Sequence, residues 1–570
     1  MSRALFLILA FFIARHELHA QYSRYLVEFT DKAHNSFSLE QPAQYLSSKA
    51  IQRRTRQKLT LDSTDLPVSG YYLDSLSKFP GIEVVSASKW LNSVYIRIND
   101  VSALNLLANI TFIKKTMPVA SIKAPGITVP YQRHFDEVTS HPSRPLLSGT
   151  RRAAGMEEYY DYGDAFRQIH MHSGEYLHEK GFTGKGMIIA MLDGGFFGYD
   201  TNPALDSIRS GQQILGGYDF VENTKSISKD NTHGSHCLSI IASNSPGRMV
   251  GSAPAASFFL LRTENAAEEY PVEEFFWALG AEYADSAGAD IISGSLGYIG
   301  FDDPSLNHSY ANRDGNTSLA SIAADLAAAK GMIVCVSAGN SGTASTDERY
   351  VAVPADADSV VAIGAVKADG TIAAFSSWGP NAAGKVKPDL LSLGQGTAIT
   401  NAQGEILFGN GTSFATPNIA GLFACLWQAF PDMTNMELIN AVKQSADRYE
   451  QPDPERYGYG IPDFRLAYEK LYTLQLQKTL DKILTNSNIK AFPNPFNTSL
   501  AVAIKPGEST EAILRLINTK GSVVYEKNIT MTPGIPMLVQ MDQLKFLPKG
   551  IYLLQYLDKK QKQTITVVHQ

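Results

Sequence analysis

The sequence predicts an α/β fold in which a parallel sheet is flanked by helices. Short, continuously apolar runs of strand length alternate with longer stretches that carry the apolar spacing of helices. Because parallel strands need long crossover connections, strands separated by helices imply a parallel sheet with right-handed crossovers. Strands are expected near 187–192, 257–261, 291–295, 333–337 and 360–363, and helices near 272–287 and 318–330.

A chain of 570 residues is too long for one hydrophobic core. We therefore expect smaller domains on either side of the α/β core. The N-terminal unit mixes alternating strand patterns with helical ones, which predicts a small α+β domain. The C-terminal unit has several short strands and a glycine turn, which predicts a β-sandwich. The expected divisions are a leader (1–20), the α+β domain (21–120), a loop (121–159), the core domain (160–472), a polar linker (473–487) and the β-sandwich (488–570).

The leader has the pattern of a secretory signal peptide. Arg3 precedes an apolar run from Ala4 to Ala14, and Ala20 suits cleavage before Gln21. That run is too short to span a bilayer, and no later segment has transmembrane length without charge or glycine. The sequence therefore predicts a secreted protein with no transmembrane span, and a buried N-terminal helix is the alternative.

Charge and cysteine content narrow the classes of function. The net charge is −6 and no basic stretch dominates, which opposes nucleic-acid binding. Cys237, Cys335 and Cys425 lie within apolar segments and cannot all pair. We expect them to be buried small hydrophobes.

One serine lies where a nucleophile can be activated. Asn410-Gly411-Thr412-Ser413 leads into an apolar helix, so Ser413 is expected where unpaired N–H groups meet the positive end of the helix dipole. A serine hydroxyl needs a base to take its proton and dipoles to stabilise the oxyanion that follows. Pro417 is expected in the first turn, where its missing N–H costs little. An ordinary capped core helix is the alternative.

Three residues upstream supply what the serine lacks. Asp193 ends an apolar strand, at the sheet edge where ligands bind. His233 lies beside a glycine at the start of a helix, where a general base is accessible. Asn340 follows another buried strand, and its amide can donate to a developing oxyanion. Each has an ordinary alternative as a turn, cap or loop residue, and their combination favours catalysis.

Taken in order, these segments resemble the subtilisin-type serine proteases, or subtilases. The family's Asp, His, Asn and Ser motifs match Asp193, His233, Asn340 and Ser413. The resemblance implies a subtilisin-like fold and an endopeptidase for protein or peptide substrates. It implies that Ser413 attacks the scissile carbonyl, His233 transfers the proton, Asp193 orients the imidazole and Asn340 binds the oxyanion.

The resemblance also concerns substrate binding and cofactors. Ser295-Leu296-Gly297 resembles the family's substrate-binding strand, to which an extended peptide adds by backbone pairing. The resemblance implies that no cofactor is required. Structural calcium is common in the family and is left unassigned here; Asp302-Asp303 is a weak candidate, and a solvated acidic loop is the favoured interpretation of that pair. Some subtilases carry a cysteine near the active site, so the alternative for Cys237 is a thiol that reacts with mercurials.

Other families of serine hydrolase fit the chain order of these residues less well. An α/β-hydrolase carries its histidine after the serine, and here only His569 follows Ser413. A chymotrypsin-like chain needs His before Asp. His236 lies three residues after His233, and the family pattern favours His233 as the base.

Family resemblance also predicts the roles of the domains on either side of the core. The α+β domain corresponds to an inhibitory propeptide, which acts as an intramolecular partner, and an unrelated accessory domain is the alternative. Processing is expected between about 125 and 155, with Arg151-Arg152 as a candidate.

The tail resembles the C-terminal sorting domain of type IX secretion, through Phe492-Pro493-Asn494-Pro495-Phe496 and the run from Leu547 to Tyr552. That resemblance implies the type IX secretion machinery as a partner and a secreted or outer-surface location in a Gram-negative bacterium. A carbohydrate- or protein-binding sandwich is the alternative.

The sequence thus predicts a secreted serine endopeptidase made as a precursor. Two rival functions stay open at this stage. One is a catalytically inactive surface adhesin or structural protein on the same scaffold, and the other is an enzyme that processes a single partner protein.

Overall fold

The structure is a computed structural model that describes residues 22–99, 102–121, 137–139, 160–228 and 231–570. The chain divides into two compact units, Met1–Arg465 and Leu466–Gln570. The predicted signal peptide, Arg151-Arg152 and most of the predicted processing region lie outside the described residues.

Strands and helices are numbered in chain order. The strands are β1 (Tyr22–Phe29), β2 (Ile82–Ser88), β3 (Ser93–Ile98), β4 (Ile113–Ser121), β5 (Glu137–Thr139), β6 (Ile188–Asp193), β7 (Ile214–Asp219), β8 (Asn244–Ser245), β9 (Met249–Val250), β10 (Ser257–Arg262), β11 (Ile291–Gly294), β12 (Ile333–Ser337), β13 (Val361–Val366), β14 (Leu390–Leu393), β15 (Gln395–Thr400), β16 (Ile406–Asn410), β17 (Ile489–Phe492), β18 (Leu500–Ile504), β19 (Glu511–Asn518), β20 (Val523–Thr530), β21 (Met537–Met541), β22 (Gly550–Asp558) and β23 (Lys562–His569). The helices are α1 (Ser48–Gln57), α2 (Gly70–Ser77), α3 (Ala103–Leu107), α4 (Phe166–His170), α5 (Glu175–Glu179), α6 (Asp206–Ser210), α7 (His233–Ala242), α8 (Val272–Ala287), α9 (Leu319–Ala329), α10 (Thr412–Ala429), α11 (Asn435–Lys443) and α12 (Phe464–Ile483).

A seven-stranded parallel sheet organises the first unit, in the order β14-β13-β12-β11-β6-β10-β7. The interior strand β6 is buried from Ile189 to Asp193 and pairs with β10 and β11. Helices α8, α9 and α10 pack against the sheet. Because the strands are parallel, the carboxyl ends of β6, β11 and β12 meet at one edge. The predicted α/β fold is confirmed.

Several strands of this unit escape a search for apolar runs. Edge strand β7 contains Gly216 and Gly217 and is only partly buried, since one side of it has no neighbouring strand. The opposite edge strand, β14, has only four residues. Strands β15 and β16 form an antiparallel pair outside the main sheet. Polar residues interrupt β15, and the apolar run of β16 is only three residues long, so neither has the apolar pattern of a buried strand.

The N-terminal region forms the expected α+β domain. Its four-stranded antiparallel sheet has the order β2-β3-β1-β4. One hydrophobic core joins the sheet to α2, through residues that include Phe29, Tyr72, Leu76 and Ile96.

The second unit has two antiparallel sheets, β17-β18-β21 and β20-β19-β22-β23. Side chains from both, among them Val502, Leu514, Leu554 and Val567, share one core, as a β-sandwich requires. The expected polar linker at 473–487 is largely helical, because α12 continues to Ile483. Within the described ranges no helix has the length and apolar character needed to cross a membrane.

Helix α1 of the N-terminal domain docks on the ends of two helices of the core domain. Arg53 donates to the carbonyl oxygens of Ala289 and, at 3.1 Å, Lys330, and Gln57 donates to that of Gly331 at 2.7 Å. These carbonyls follow the last turns of α8 and α9, where the helix dipole favours a cation. Gly288 has φ +94°, and a Cβ there would lie 2.8 Å from the Cβ of Lys49.

Asp285 is the acidic partner that three basic side chains share at this contact. Its carboxylate pairs with Arg53, with Arg54 at 2.8 Å and with Lys89 at 3.4 Å. Burial alone would raise the pKa of Asp285, but the charges of Arg53, Lys89 and Arg54 outweigh burial and hold that pKa below its usual range. The N-terminal domain is therefore held by a buried ionic cluster whose members depend on one another.

We expect Arg53→Ala to lower the free energy of unfolding by about 3–5 kcal/mol, because it leaves Asp285 short of a buried partner. Urea unfolding of the full-length Ser413→Ala chain, which we expect to stay uncleaved, measures the change. The matched control is Arg56→Ala on the same helix. Arg56 is 32% exposed and lies 3.9 Å from Asp290, so its loss should cost less than about 1 kcal/mol. Equal losses for both variants would contradict the proposed role of the cluster.

Candidate active site

Asp193 and His233 form the polar pair at the carboxyl edge of the sheet. Asp193 is the last residue of β6 and is fully buried. Its Oδ1 accepts hydrogen bonds from the Gly194 N–H and from Nδ1 of His233, both at 2.8 Å. An ionised carboxylate can only accept, so Nδ1 carries the proton and Nε2 is the basic nitrogen of the imidazole.

His233 is the first residue of α7, and that helix start fixes its backbone. Its N–H donates to Oδ1 of Asn231 at 2.9 Å. The imidazole is 21% exposed and lies against the ring of Phe414, with centroids 5.7 Å apart. Among the two candidate histidines, it is His233 whose ring donates to Asp193, while His236 lies in the wall of the same cleft.

One cleft of about 270 Å³ brings the predicted site residues together. Its walls include every residue that the sequence singled out for catalysis or substrate binding. They are Asp193, His233, Ser295, Leu296, Gly297, Asn340 and Ser413.

Ser413 is the second residue of α10, so its N–H has no acceptor within the helix. Pro417, expected in the first turn, is instead the sixth residue of this helix. A proline there removes the N–H that would bond to the carbonyl of Ser413. That carbonyl accepts instead from the hydroxyl of Ser295 at 2.9 Å and from Sγ of Cys237 at 3.5 Å. Two side chains thus replace the missing helix bond behind the serine.

Thr412 fixes the orientation of Asn340. Oδ1 of Asn340 accepts from both the N–H and the hydroxyl of Thr412, at 2.9 Å each. The same hydroxyl accepts from the N–H of Gly339 at 3.1 Å. Because the amide oxygen faces Thr412, the NH₂ group faces the other way. This role of Thr412 is not predicted from the sequence, although Thr412 directly precedes the serine in the motif.

The residues that could hold a metal overlap the polar pair. Within the described part of the chain, ligand atoms of Asp193, His233 and Cys237 lie within 4.8 Å of one another. Burial raises the pKa of Cys237 to about 11, so its thiol is protonated at neutral pH and is a poor metal ligand.

Asp302-Asp303, the calcium candidate of the sequence, lies in a separate loop. The carboxylates of Asp302 and Asp303 accept hydrogen bonds from the N–H groups of Glu269 and Ser305, respectively.

Comparison with known proteins gives three matches to family models along the chain. The Subtilase family (Peptidase S8) matches residues 184–460. The Peptidase S8 propeptide domain of Bacteroidota matches 24–132, and the secretion system C-terminal sorting domain matches 490–570.

Relatives agree with these matches. Subtilisin Savinase of Lederbergia lenta is 30% identical over 292 residues, which cover 51% of this chain and 93% of the relative. The chain belongs to the subtilase family. Serine protease AprX of Bacillus subtilis is 31% identical over 49% of this subtilase and 65% of the relative. Subtilisin E of the same species is 29% identical over 47% and 63%. This subtilase thus spans just under two thirds of the length of those two relatives.

Its flanking domains are assigned by the same comparison. The N-terminal domain is a propeptide domain of the Peptidase S8 family, and the tail is a secretion sorting domain. The sorting domain marks this subtilase as a secreted or outer-surface protein. Among solved structures, MycP1 with its propeptide removed aligns over 54% of this chain and 97% of that chain, with a TM-score of 0.43 and 22% identity.

We expect Cys237 to resist alkylation in the folded subtilase. A pKa of about 11 leaves on the order of 0.1% thiolate at pH 8, and burial blocks access as well. Iodoacetamide treatment at pH 8 followed by mass spectrometry should show no modified cysteine in the native protein. All three thiols should react in denaturant, which is the control. Rapid alkylation of native Cys237 would show that it is a reactive thiol.

Proposed function

We propose that this subtilase is a secreted serine endopeptidase made as a precursor. The observation that carries the proposal is the hydrogen-bonded pair of Asp193 and His233 in the same cleft as Ser413 and Asn340. His233 is the base and Asp193 is the carboxylate that orients it. Ser413 is the nucleophile and Asn340 is the oxyanion donor that acyl transfer needs.

Each side chain has a distinct task in the proposed reaction. Ser413 attacks the scissile carbonyl while Nε2 of His233 accepts the hydroxyl proton, and His233 then protonates the leaving amine. Asp193 holds the imidazole in the tautomer with Nδ1–H and stabilises the imidazolium. A water molecule then attacks the acyl carbonyl while His233 accepts its proton, and His233 returns a proton to Oγ of Ser413 as that oxygen leaves.

The oxyanion of the tetrahedral intermediate requires donors fixed in advance. The NH₂ group of Asn340 and the N–H of Ser413 are the proposed donors. Thr412 supports the first by holding the amide oxygen. Ser295 and Cys237 support the second, because they hold the carbonyl of the same residue.

Substrate binding follows from the cleft wall. We assign Ser295-Leu296-Gly297 as the edge to which an extended protein or peptide substrate adds its backbone, since all three residues line the cleft. The chemistry uses only side chains and backbone, so it needs no cofactor. A structural calcium ion is compatible with the proposal and has no assigned ligands.

The other domains supply partners. The propeptide domain is the intramolecular inhibitor, docked through the cluster around Asp285. The sorting domain is the export signal that the type IX secretion machinery recognises.

The function is tested by removing the nucleophile. Ser413→Ala should lower hydrolysis of a protein substrate by at least about 10⁴-fold and abolish labelling by a fluorophosphonate, with unchanged circular dichroism. His233→Ala should cost as much, and His236→Ala, its neighbour in the cleft, far less. Wild-type hydrolysis by the Ser413→Ala protein would refute the proposal, and so would a wild-type chain that is folded, fully processed and inert to the fluorophosphonate.

We expect Thr412→Val to lower kcat about tenfold with little change in KM. The variant removes the hydroxyl that holds Asn340, and that amide acts on the transition state rather than on bound substrate. Thr412→Ser keeps the hydroxyl and should retain most activity, which controls for packing. Steady-state kinetics on a chromogenic peptide measure both constants. A rise in KM alone would instead assign Thr412 to substrate binding.

A further inference from the structure

Two glutamates lie in the wall of the candidate active site and have no task in the proposed chemistry. Glu264 and Glu269 line the same cleft as Ser413. Glu264 lies just after β10 and is half-buried, and Glu269 is buried, with 4% of its surface exposed. Together with Asp193 they place three carboxylates in the cleft, and none of the described residues that line it is a lysine or an arginine. The wall of the cleft is therefore acidic.

The order of strands in the sheet fixes where these carboxylates lie relative to a bound substrate. Four neighbouring strands have the order β12-β11-β6-β10, and the segments that follow them reach the same edge. Asn340 follows β12, and Ser295-Leu296-Gly297, the substrate edge, follows β11. Asp193 ends β6, and Glu264 follows β10. A substrate strand along the substrate edge thus has the asparagine on one side and the glutamate on the other.

Contacts with neighbouring segments keep both glutamates in this wall. A Cβ built on Gly194, the residue after β6, would lie 4.0 Å from the Cβ of Glu264. The N–H of Glu269 donates to Oδ2 of Asp302 at 3.3 Å, and the N–H of Asp302 donates to the carbonyl of Glu269 at 2.9 Å. Asp302 belongs to the segment that continues from the substrate edge, and Ile299 of that segment also lines the cleft. Glu269 therefore extends the acidic wall beyond the substrate edge.

The charges of these carboxylates act on a buried phenol beside the substrate edge. Tyr298 is the next residue along the chain and is 1% exposed. Burial raises the pKa of Tyr298 well above its usual value, and the negative charges of Glu264, Glu273, Glu269 and Glu274 raise it further. The wall thus carries a negative potential, which favours a cation in the cleft.

We propose that Glu264 and Glu269 bind lysine or arginine side chains of the substrate, so that this subtilase prefers basic peptides. The proposal rests on the proposed peptidase function and names its substrate class. An extended strand directs successive side chains to opposite sides. Only every second side chain of the segment along the substrate edge therefore faces the glutamates. Basic residues should be favoured on one side of the scissile bond, and not at two neighbouring positions.

Peptides in which a lysine is moved along the sequence test this preference. The starting peptide surrounds a bond that the enzyme cuts in a denatured protein, with its charged residues replaced by glutamine. One lysine is then placed at each position in turn, and mass spectrometry confirms the bond that is cut. The ratio of kcat/KM for the lysine and glutamine peptides should reach about tenfold at a preferred position. Raising NaCl from about 20 mM to about 500 mM should lower that ratio, because salt screens the charges.

Variants test whether the two glutamates carry the preference. Glu264→Gln combined with Glu269→Gln keeps the size of both side chains, removes both charges and should lower the ratio to about twofold or less. Each ratio compares two peptides on the same protein, so the amount of folded variant cancels. Glu264→Lys should favour glutamate over lysine at one preferred position, which a merely structural role of Glu264 would not produce. Glu179→Gln removes an exposed glutamate outside the cleft wall and should leave the ratio unchanged.

The possible outcomes separate the substrate preference from the peptidase assignment. Equal rates for the lysine and glutamine peptides at every position overturn the preference, and so does a preference that the double glutamine variant keeps. The peptidase assignment then stands, provided that Ser413→Ala cuts none of the peptides. If the folded and processed wild type cuts no denatured protein, the peptidase assignment fails and the preference fails with it.

Discussion

The first turn of helix α10 is held by side chains from three separate segments, and the candidate active site depends on that arrangement. Pro417 denies the Ser413 carbonyl its bond within the helix, which by itself costs about 3 kcal/mol. Ser295 and Cys237 satisfy that carbonyl, and Asn340 accepts from Thr412. The proline therefore leaves the Ser413 carbonyl available to Ser295 and Cys237, and the separate bonds of Thr412 to Asn340 hold the same turn.

The second element of the site is the edge of the parallel sheet. Asp193 ends the interior strand β6, and His233 begins helix α7 within hydrogen-bond distance of it. Their hydrogen bond joins two rigid elements rather than two loops, so little conformational entropy is lost when the imidazole is oriented. A parallel sheet makes this possible because its strands end on one side.

The propeptide domain is attached in two physically different ways. One is ionic, with Arg53 seated between the helix ends of the catalytic domain and Asp285 as the shared counter-charge. The other is the continuous chain that reaches the cleft at β5. The ionic attachment does not depend on the chain connection, so the proposed processing of that connection would leave the domain bound.

The buried strands and helices of the core can be predicted from the amino-acid sequence, because continuous apolar runs and helical spacing report burial directly. Asp193, His233, Asn340 and Ser413 can also be identified as candidates, because each lies in a short motif at a strand end or a helix start. Other features of the site depend on how distant segments pack. The bond from Thr412 to Asn340, the bonds from Ser295 and Cys237 to the Ser413 carbonyl and the pairing of β5 with β16 each join segments far apart in sequence. No local pattern encodes such contacts, because their partners are set by how the helices and strands pack.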